Sequence, residues 1–175
     1  MEKPKVKIYI DGANMFYTQK RLGWFIDWKK VKNYIEQEKN VIEWRYYVGV
    51  KDNDEKMLKY LKYLNLVGFN TITKPLKKIK IGDSEIIPQN SERSFIYKAN
   101  FDVEMTTDIL LEKFKLDEII IFSGDSDFRY LIKKLKDAGL KVVVFSSRKT
   151  ISWELKIECA KVIYFEGAKD KIMRE

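Results

Sequence analysis

Two acidic residues follow a long apolar run in the second half of the chain. Residues 119–128 are Ile-Ile-Ile-Phe-Ser-Gly-Asp-Ser-Asp-Phe, and the apolar residues after them recur at helical spacing. Such a run predicts a strand buried on both faces, so we expect Asp125 and Asp127 where a parallel strand passes into a helix. Open α/β proteins bind their ligands at this carboxyl edge of the sheet. Two neighbouring carboxylates repel each other unless a proton or a cation lies between them, and a divalent metal is the obvious candidate.

The alternative interpretation is purely structural. Ser126 would cap the helix, and the two carboxylates would complement the helix dipole. A second acidic turn near the start of the chain favours the metal site. Asp11 follows the first predicted strand directly, as Asp125 follows its own strand. If these two strands are neighbours, both carboxylates converge on one edge of the sheet.

Small and polar residues accompany both acidic turns. Gly12 and Gly124 let the backbone turn sharply and leave room for a ligand. Asn14 is suited to a hydrogen bond with a metal-bound water or a phosphate oxygen.

A third acidic contribution is expected from the helix predicted at residues 100–114. This helix begins just upstream of the central strand, so its first turn can reach the same edge. Asp102 lies nearest the helix start and is the preferred candidate, with Asp108 and Glu104 behind it. The alternative role for Asp102 is that of an N-terminal partner of the helix dipole.

The composition limits the available chemistry. The chain has 175 residues, no histidine and a single cysteine, Cys159. Histidine-dependent catalytic triads, histidine-ligated zinc and internal disulfides are therefore excluded. The net charge of +8 around an acidic cluster is expected when metal ions act on a polyanion such as nucleic acid. A surface rich in lysine for solvation or heat tolerance is the alternative.

The order of elements predicts an α/β fold. Strands alternate with helices, which indicates a mainly parallel central sheet in a three-layer αβα sandwich of Rossmann-like type. We expect one domain over residues 1–175, with a probable hairpin excursion at residues 77–97. The sequence shows neither a bilayer-spanning apolar run nor a signal-peptide pattern, so we expect a cytoplasmic protein without a membrane partner. Strands are predicted at 6–10, 41–50, 70–76, 119–122, 141–145 and 162–165, and helices at 15–21, 28–35, 55–67, 100–114, 128–139 and 152–160.

Three motifs together resemble a known family. They are residues 9–14 (Tyr-Ile-Asp-Gly-Ala-Asn), 98–108 and 123–128 (Ser-Gly-Asp-Ser-Asp-Phe). The chain resembles NYN-domain proteins of the LabA-like group, a branch of the PIN-like nucleases, over nearly its whole length. The family usually has a Lys-Gly-apolar-Asp run, whereas residues 98–102 here are one residue longer and lack the glycine.

The resemblance implies an enzyme and its site. In the family, acidic residues bind Mg²⁺ or Mn²⁺ for the cleavage of RNA on a sheet flanked by helices. The implied metal ligands here are Asp11, Asp102 and Asp125, with Asp127 as a further catalytic carboxylate. The implied supporting residues are Asn14, Ser123 and Asp108.

The sequence therefore predicts a metal-dependent ribonuclease that hydrolyses phosphodiester bonds in RNA. The expected partner is RNA, with single-stranded nucleic acid as a candidate form. One ion or two are compatible with the carboxylates. Lys98, Arg148 and Lys149 are candidates for gripping substrate phosphates. Two alternatives remain open, namely a non-catalytic RNA-binding or regulatory module and a magnesium-dependent phosphatase. A homo-oligomer is also compatible with the sequence.

Overall fold

A parallel sheet forms the centre of the molecule. The structure, a computed structural model, describes residues 2–80, 95–113 and 115–175. The strands are β1 (Lys5–Asp11), β2 (Asn40–Val50), β3 (Asn70–Pro75), β4 (Lys77–Lys80), β5 (Phe95–Lys98), β6 (Glu118–Phe122), β7 (Lys141–Ser146) and β8 (Lys161–Tyr164). The α-helices are α1 (Gly12–Leu22), α2 (Trp28–Glu36), α3 (Glu55–Val67), α4 (Asp102–Glu112), α5 (Arg129–Asp137), α6 (Trp153–Glu158) and α7 (Lys169–Ile172), with 3₁₀ turns at Ser126–Phe128 and Phe165–Ala168.

Six strands lie in the order β3-β2-β1-β6-β7-β8, and every neighbouring pair is parallel. The chain builds outward from β1 in one direction and from β6 in the other. The order therefore reverses between these two strands, where Ile10 is level with Phe122. Such a reversal opens a crevice at the carboxyl edge of a parallel sheet.

Helices cover both faces of the sheet, so the predicted three-layer α/β sandwich is confirmed. Alternate strand residues enter two separate cores because successive side chains point to opposite faces. Ile8, Ile120 and Phe145 belong to the core that also contains Met15 of α1. The other core contains Tyr9, Ile119, Ile121 and Val144, packed with residues of α4, α5 and α6.

Short side-chain caps fix where the helices begin. The carboxylates of Asp11, Asp27 and Asp54 each accept a hydrogen bond from the backbone N–H three residues later. This contact satisfies one of the free donors in the first helical turn. At the other end, Gly23 and Gly68 take left-handed φ angles of 80° and 98° and close α1 and α3. Asp11 is therefore both a strand end and a helix cap.

A second, two-stranded sheet stands apart from the main one. Strands β4 and β5 pair antiparallel, with Lys77 opposite Lys98 and Lys80 opposite Phe95. We call this pair the β4–β5 ribbon. The rest of the predicted excursion at residues 77–97 lies outside the described residues. Within the part of the chain that the structure describes, no helix is long and apolar enough to cross a membrane.

Candidate metal centre

Two acidic turns meet where the strand order reverses. Asp11 ends β1, and its Oδ2 accepts a hydrogen bond of 3.3 Å from the hydroxyl of Ser123, just past β6. Asn14 Oδ1 accepts a hydrogen bond of 3.0 Å from the backbone N–H of Gly124. These contacts join the start of α1 to the loop after β6. Ser123 Oγ also accepts from the N–H of Asp125 at 3.1 Å, so one buried serine links both acidic residues.

Three carboxylates lie together at this junction. Asp102, Asp125 and Asp127 each place a carboxylate oxygen within 4.8 Å of the other two. Asp102 comes from the first turn of α4, and the other two come from the loop and 3₁₀ turn after β6. The 3₁₀ turn is anchored by Phe128, which is fully buried in the core beneath α5. The fold thus brings acidic residues from distant parts of the chain to one place.

Asp11 stands beside this trio rather than within it. Burial raises the pKa of the Asp11 carboxyl to about 6, against the bond from the Asn14 N–H, and the nearby charges of Asp102 and Asp125 raise it further. Burial also raises the pKa of Asp102, and repulsion from Asp125 and Asp127 acts in the same sense. The carboxylates of Asp11 and Asp102 therefore lie near other negative charges, and their ionisation is costly unless a cation lies beside them.

The glycines at both turns serve close packing. Neither Gly12 nor Gly124 has a positive φ. A Cβ at Gly124 would lie 2.4 Å from the backbone oxygen of Thr150, and a Cβ at Gly12 would lie 2.6 Å from that of Tyr47. The expectation that these glycines leave room for a ligand is wrong, because a neighbouring backbone occupies the space beside each of them.

Asp108 lies on α4 and is bonded to residues of β2. Its Oδ2 accepts a hydrogen bond of 2.7 Å from the Tyr47 hydroxyl and pairs with Arg45 at 3.0 Å. Glu104, also considered from the sequence, pairs with Lys74. Asp108 and Glu104 therefore join α4 to strands β2 and β3 of the sheet. Neither residue belongs to the close carboxylate trio.

The three predicted phosphate-binding residues lie in different surroundings. Lys98 ends the β4–β5 ribbon, and its charge opposes the rise in the pKa of Asp102. The guanidinium of Arg148 lies 4.2 Å over the ring of Tyr164. The ammonium of Lys149 donates to the backbone oxygen of Arg21 at 3.1 Å. Their roles toward RNA stay predictions.

Sequence reasoning missed several residues that position the site. Asn100 Oδ1 accepts a 2.7 Å hydrogen bond from the N–H of Asp102 and fixes the first turn of α4. An Asn two residues before an Asp at a helix start is a recognisable turn signal. The hydroxyls of Thr18 and Thr150 lie 2.9 Å apart and join α1 to the loop before α6. No local signal predicts that contact, because its two members are distant in sequence.

Known proteins resemble the chain in sequence and in fold. The model of the NYN domain family matches residues 5–166. Low amplitude and bright protein LabA of Synechococcus elongatus is 32% identical over 154 residues, which cover 87% of this chain and 78% of that protein. A crystal structure of a protein of unknown function from Vibrio parahaemolyticus matches with a TM-score of 0.78 at 23% identity, over 99% of this chain and 100% of that one. The structural likeness concerns the fold alone, whereas the two sequence matches confirm the predicted resemblance. The chain belongs to the NYN domain family.

Proposed function

We propose that the protein is a metal-dependent ribonuclease that hydrolyses phosphodiester bonds in RNA. Membership of the NYN family, within the PIN-like nuclease superfamily, supports a nuclease-like or RNA-related role. The observation that carries the finer proposal is the trio Asp102, Asp125 and Asp127, whose carboxylate oxygens lie within 4.8 Å of one another.

The donor set fits Mg²⁺ or Mn²⁺. The three ligand atoms of the trio are carboxylate oxygens, and the chain has no histidine to favour zinc. Hard oxygen donors suit these ions. In this proposal Asp102, Asp125 and Asp127 hold the ion. When bound, the ion supplies Lewis-acid activation of water and stabilises charge on the phosphate.

The chain's own residues then have separate tasks. Asp127 is the most exposed residue of the trio. In this proposal the carboxylate oxygen of Asp127 that does not hold the ion would accept the proton of the attacking water. Asp11 adds negative charge beside the trio and is oriented by the Ser123 hydroxyl. Ser123 and Asn14 are positioning residues, since their hydrogen bonds hold the two acidic turns together.

The charge of the whole chain supports a polyanionic substrate. The net charge is +8, although the site itself is acidic. Lysines around an acidic centre attract phosphates, which the carboxylates alone would repel. Lys98, Arg148 and Lys149 remain the proposed contacts. Nothing among these contacts addresses base edges, so the proposal includes no sequence specificity.

Cleavage of a labelled single-stranded RNA with Mg²⁺ or Mn²⁺ tests the proposal. We expect Asp125→Asn to lose cleavage by roughly a hundredfold or more, because charge stabilisation at the reacting phosphate is usually the largest catalytic contribution. Chelation with EDTA should abolish cleavage by the unchanged protein.

Asp137→Asn is the matched control, since it makes the same chemical change at an exposed residue at the end of α5. It should cleave like the unchanged protein. Binding without cleavage in every variant would instead support the non-catalytic module. Release of phosphate from a monoester, with internal linkages left intact, would support the phosphatase.

A further inference from the structure

The β4–β5 ribbon has an unusual composition for a solvent-exposed pair of strands. Residues 77–80 are Lys-Lys-Ile-Lys and residues 95–98 are Phe-Ile-Tyr-Lys, so half the positions are lysine and none is acidic. Its apolar side chains are exposed rather than packed, with Phe95 at 39%, Ile96 at 45% and Tyr97 at 44% of full exposure. Exposed apolar side chains grouped in this way mark an interaction surface.

The register places both aromatic rings on one face. Lys78 lies opposite Tyr97 on the neighbouring strand, and Phe95 is two residues before Tyr97, so these three positions share a side of the ribbon. The ammonium of Lys78 lies 3.9 Å from the ring centroid of Phe95, and that of Lys51 lies 4.8 Å from the ring of Tyr97. Cations thus accompany each exposed ring. Because the rings are two residues apart on β5, they are separated by about 7 Å along the strand.

The ribbon is attached next to the carboxylates. Lys98 is four residues before Asp102 and acts on it electrostatically. Leu76 and Ala99, which flank the ribbon, pack over Gly49 of β2, where an added Cβ would lie 2.5 Å and 2.7 Å from their side chains. The N–H of Leu76 also donates to the backbone oxygen of Val50 at 2.9 Å. These contacts fix the base of the ribbon at the end of β2.

We propose that the β4–β5 ribbon binds single-stranded RNA and leads it to the carboxylate site. Successive unpaired bases stack on Phe95 and Tyr97, while Lys51 and Lys78 contact the backbone phosphates. Aromatic rings joined with cations bind single strands in this manner, and stacked duplex bases are not available to them. The absence of acidic residues from β4 and β5 complements the charge of the polyanion. This inference rests on the proposed ribonuclease function and names its substrate class.

The test measures RNA affinity rather than cleavage. A fluorescent single-stranded RNA is titrated with full-length Asp125→Asn, in which turnover is suppressed, and anisotropy gives the Kd. The double change Phe95→Leu with Tyr97→Leu, made in that background, keeps the apolar character and the lysines. We expect its affinity for the single strand to fall at least tenfold, since two bases lose their stacking on an aromatic ring. Affinity for a duplex of the same sequence should not change.

Phe25→Leu is the matched control, because Phe25 is 62% exposed and lies beyond the far end of α1. It should bind the single strand like its parent. A second variant, Lys51→Gln with Lys78→Gln, keeps the rings and tests the phosphate contacts independently of any folding effect of the leucines. Its slope of log affinity against log salt should be smaller in magnitude by about 1.4, the value for two lost phosphate contacts on a single strand.

Two results would overturn the proposal that the ribbon binds single-stranded RNA. One is unchanged single-strand affinity in the double leucine variant together with an unchanged salt slope in the lysine variant. In that case cleavage by the unchanged protein would still support the ribonuclease, so the two proposals fail separately. The other is a double leucine variant that keeps its RNA affinity but loses a self-association that its parent shows in sedimentation. That result would assign the ribbon to contacts between copies of the chain.

Discussion

The buried Asp11 carboxyl is costly to ionise in the folded chain. Burial raises its pKa to about 6, with Asp102 and Asp125 adding to the rise. The reference pKa of the carboxyl is 3.8. Between these two values the folded chain holds a proton that the unfolded chain has released. Without a divalent ion, stability therefore falls as the pH rises through this window.

Replacing Asp11 with Asn should remove this penalty. In EDTA at about pH 8 we expect the free energy of unfolding of Asp11→Asn to exceed that of the unchanged protein by on the order of 1–3 kcal/mol. This difference in stability should shrink toward about pH 4. Thermal unfolding followed by circular dichroism across this pH range measures the difference in stability. Asp137→Asn should show no comparable pH dependence. A difference in stability that stays constant over the whole pH range would contradict the burial of the Asp11 charge.

Gly124 carries a packing requirement that can be tested separately. Gly124→Ala places a methyl group 2.4 Å from the Thr150 carbonyl oxygen, and a backbone atom cannot move aside cheaply. We expect a loss of about 1–3 kcal/mol in the free energy of unfolding. Chemical denaturation measures it. Gly167→Ala is the control, since its Cβ meets nothing within 4 Å. Equal losses in the two variants would show that the contact at Gly124 is unimportant.

Part of the site was predictable residue by residue. Asp11 and Asp125 each follow a buried strand, so their common edge follows from the sequence pattern once the strands are neighbours. The place of Asp127 was not predictable to the same degree. Its direction depends on the 3₁₀ turn, which the burial of Phe128 fixes through contacts distant in sequence. The ligand assignment as a whole stays a prediction.

Helix α4 is the element that carries Asp102 to the sheet edge, and charged contacts hold it there. Arg45 of β2 pairs with Asp108 at 3.0 Å and with Glu112 at 2.7 Å, and its side chain is only 15% exposed. Lys7 of β1 reaches Glu112 at 2.9 Å. These bonds join α4 to β1, which ends at the candidate centre, and to its neighbour β2. Asp108 consequently supports the site through the helix rather than through contact with an ion.

Asp108→Asn separates these two roles. It should lower the free energy of unfolding by about 1–3 kcal/mol, because Arg45 and Tyr47 lose a charged acceptor. Mn²⁺ affinity, measured by isothermal titration calorimetry, should stay unchanged. Asp102→Asn on the same helix should give the reverse result, with weaker Mn²⁺ binding and little loss of stability. Loss of Mn²⁺ binding in Asp108→Asn with unchanged stability would place Asp108 among the ligands instead.

Long elements were easier to predict than short ones. The helix predicted at residues 55–67 coincides with α3, because it has an Asp cap at one end and a glycine at the other. The 3₁₀ turn Phe165–Ala168 and α7 were not predicted, since four residues each give too little periodicity. Leu58 of α3 fits the apolar spacing of its helix yet is 49% exposed. Helix α3 precedes the edge strand β3, where the sheet ends and cannot cover a whole helical stripe.

The topology of the whole molecule explains why the acidic residues meet. The strand order reverses between β1 and β6, and both acidic turns lie at their carboxyl ends. Alternation of strands and helices predicted the parallel sheet, and the structure confirms it. Alternation does not fix which strands are neighbours, because several strand orders satisfy the same pattern. A basic chain with this acidic crevice, and the basic ribbon beside it, then suits a phosphodiester substrate.

The most direct measurement is a crystal structure grown in Mn²⁺ with data that reveal the anomalous signal of manganese. We expect a manganese peak beside the carboxylates of Asp102, Asp125 and Asp127. Asp125→Asn crystals grown in the same solution should lack the peak. A saturated crystal of the unchanged protein with no manganese at these three carboxylates would contradict the account.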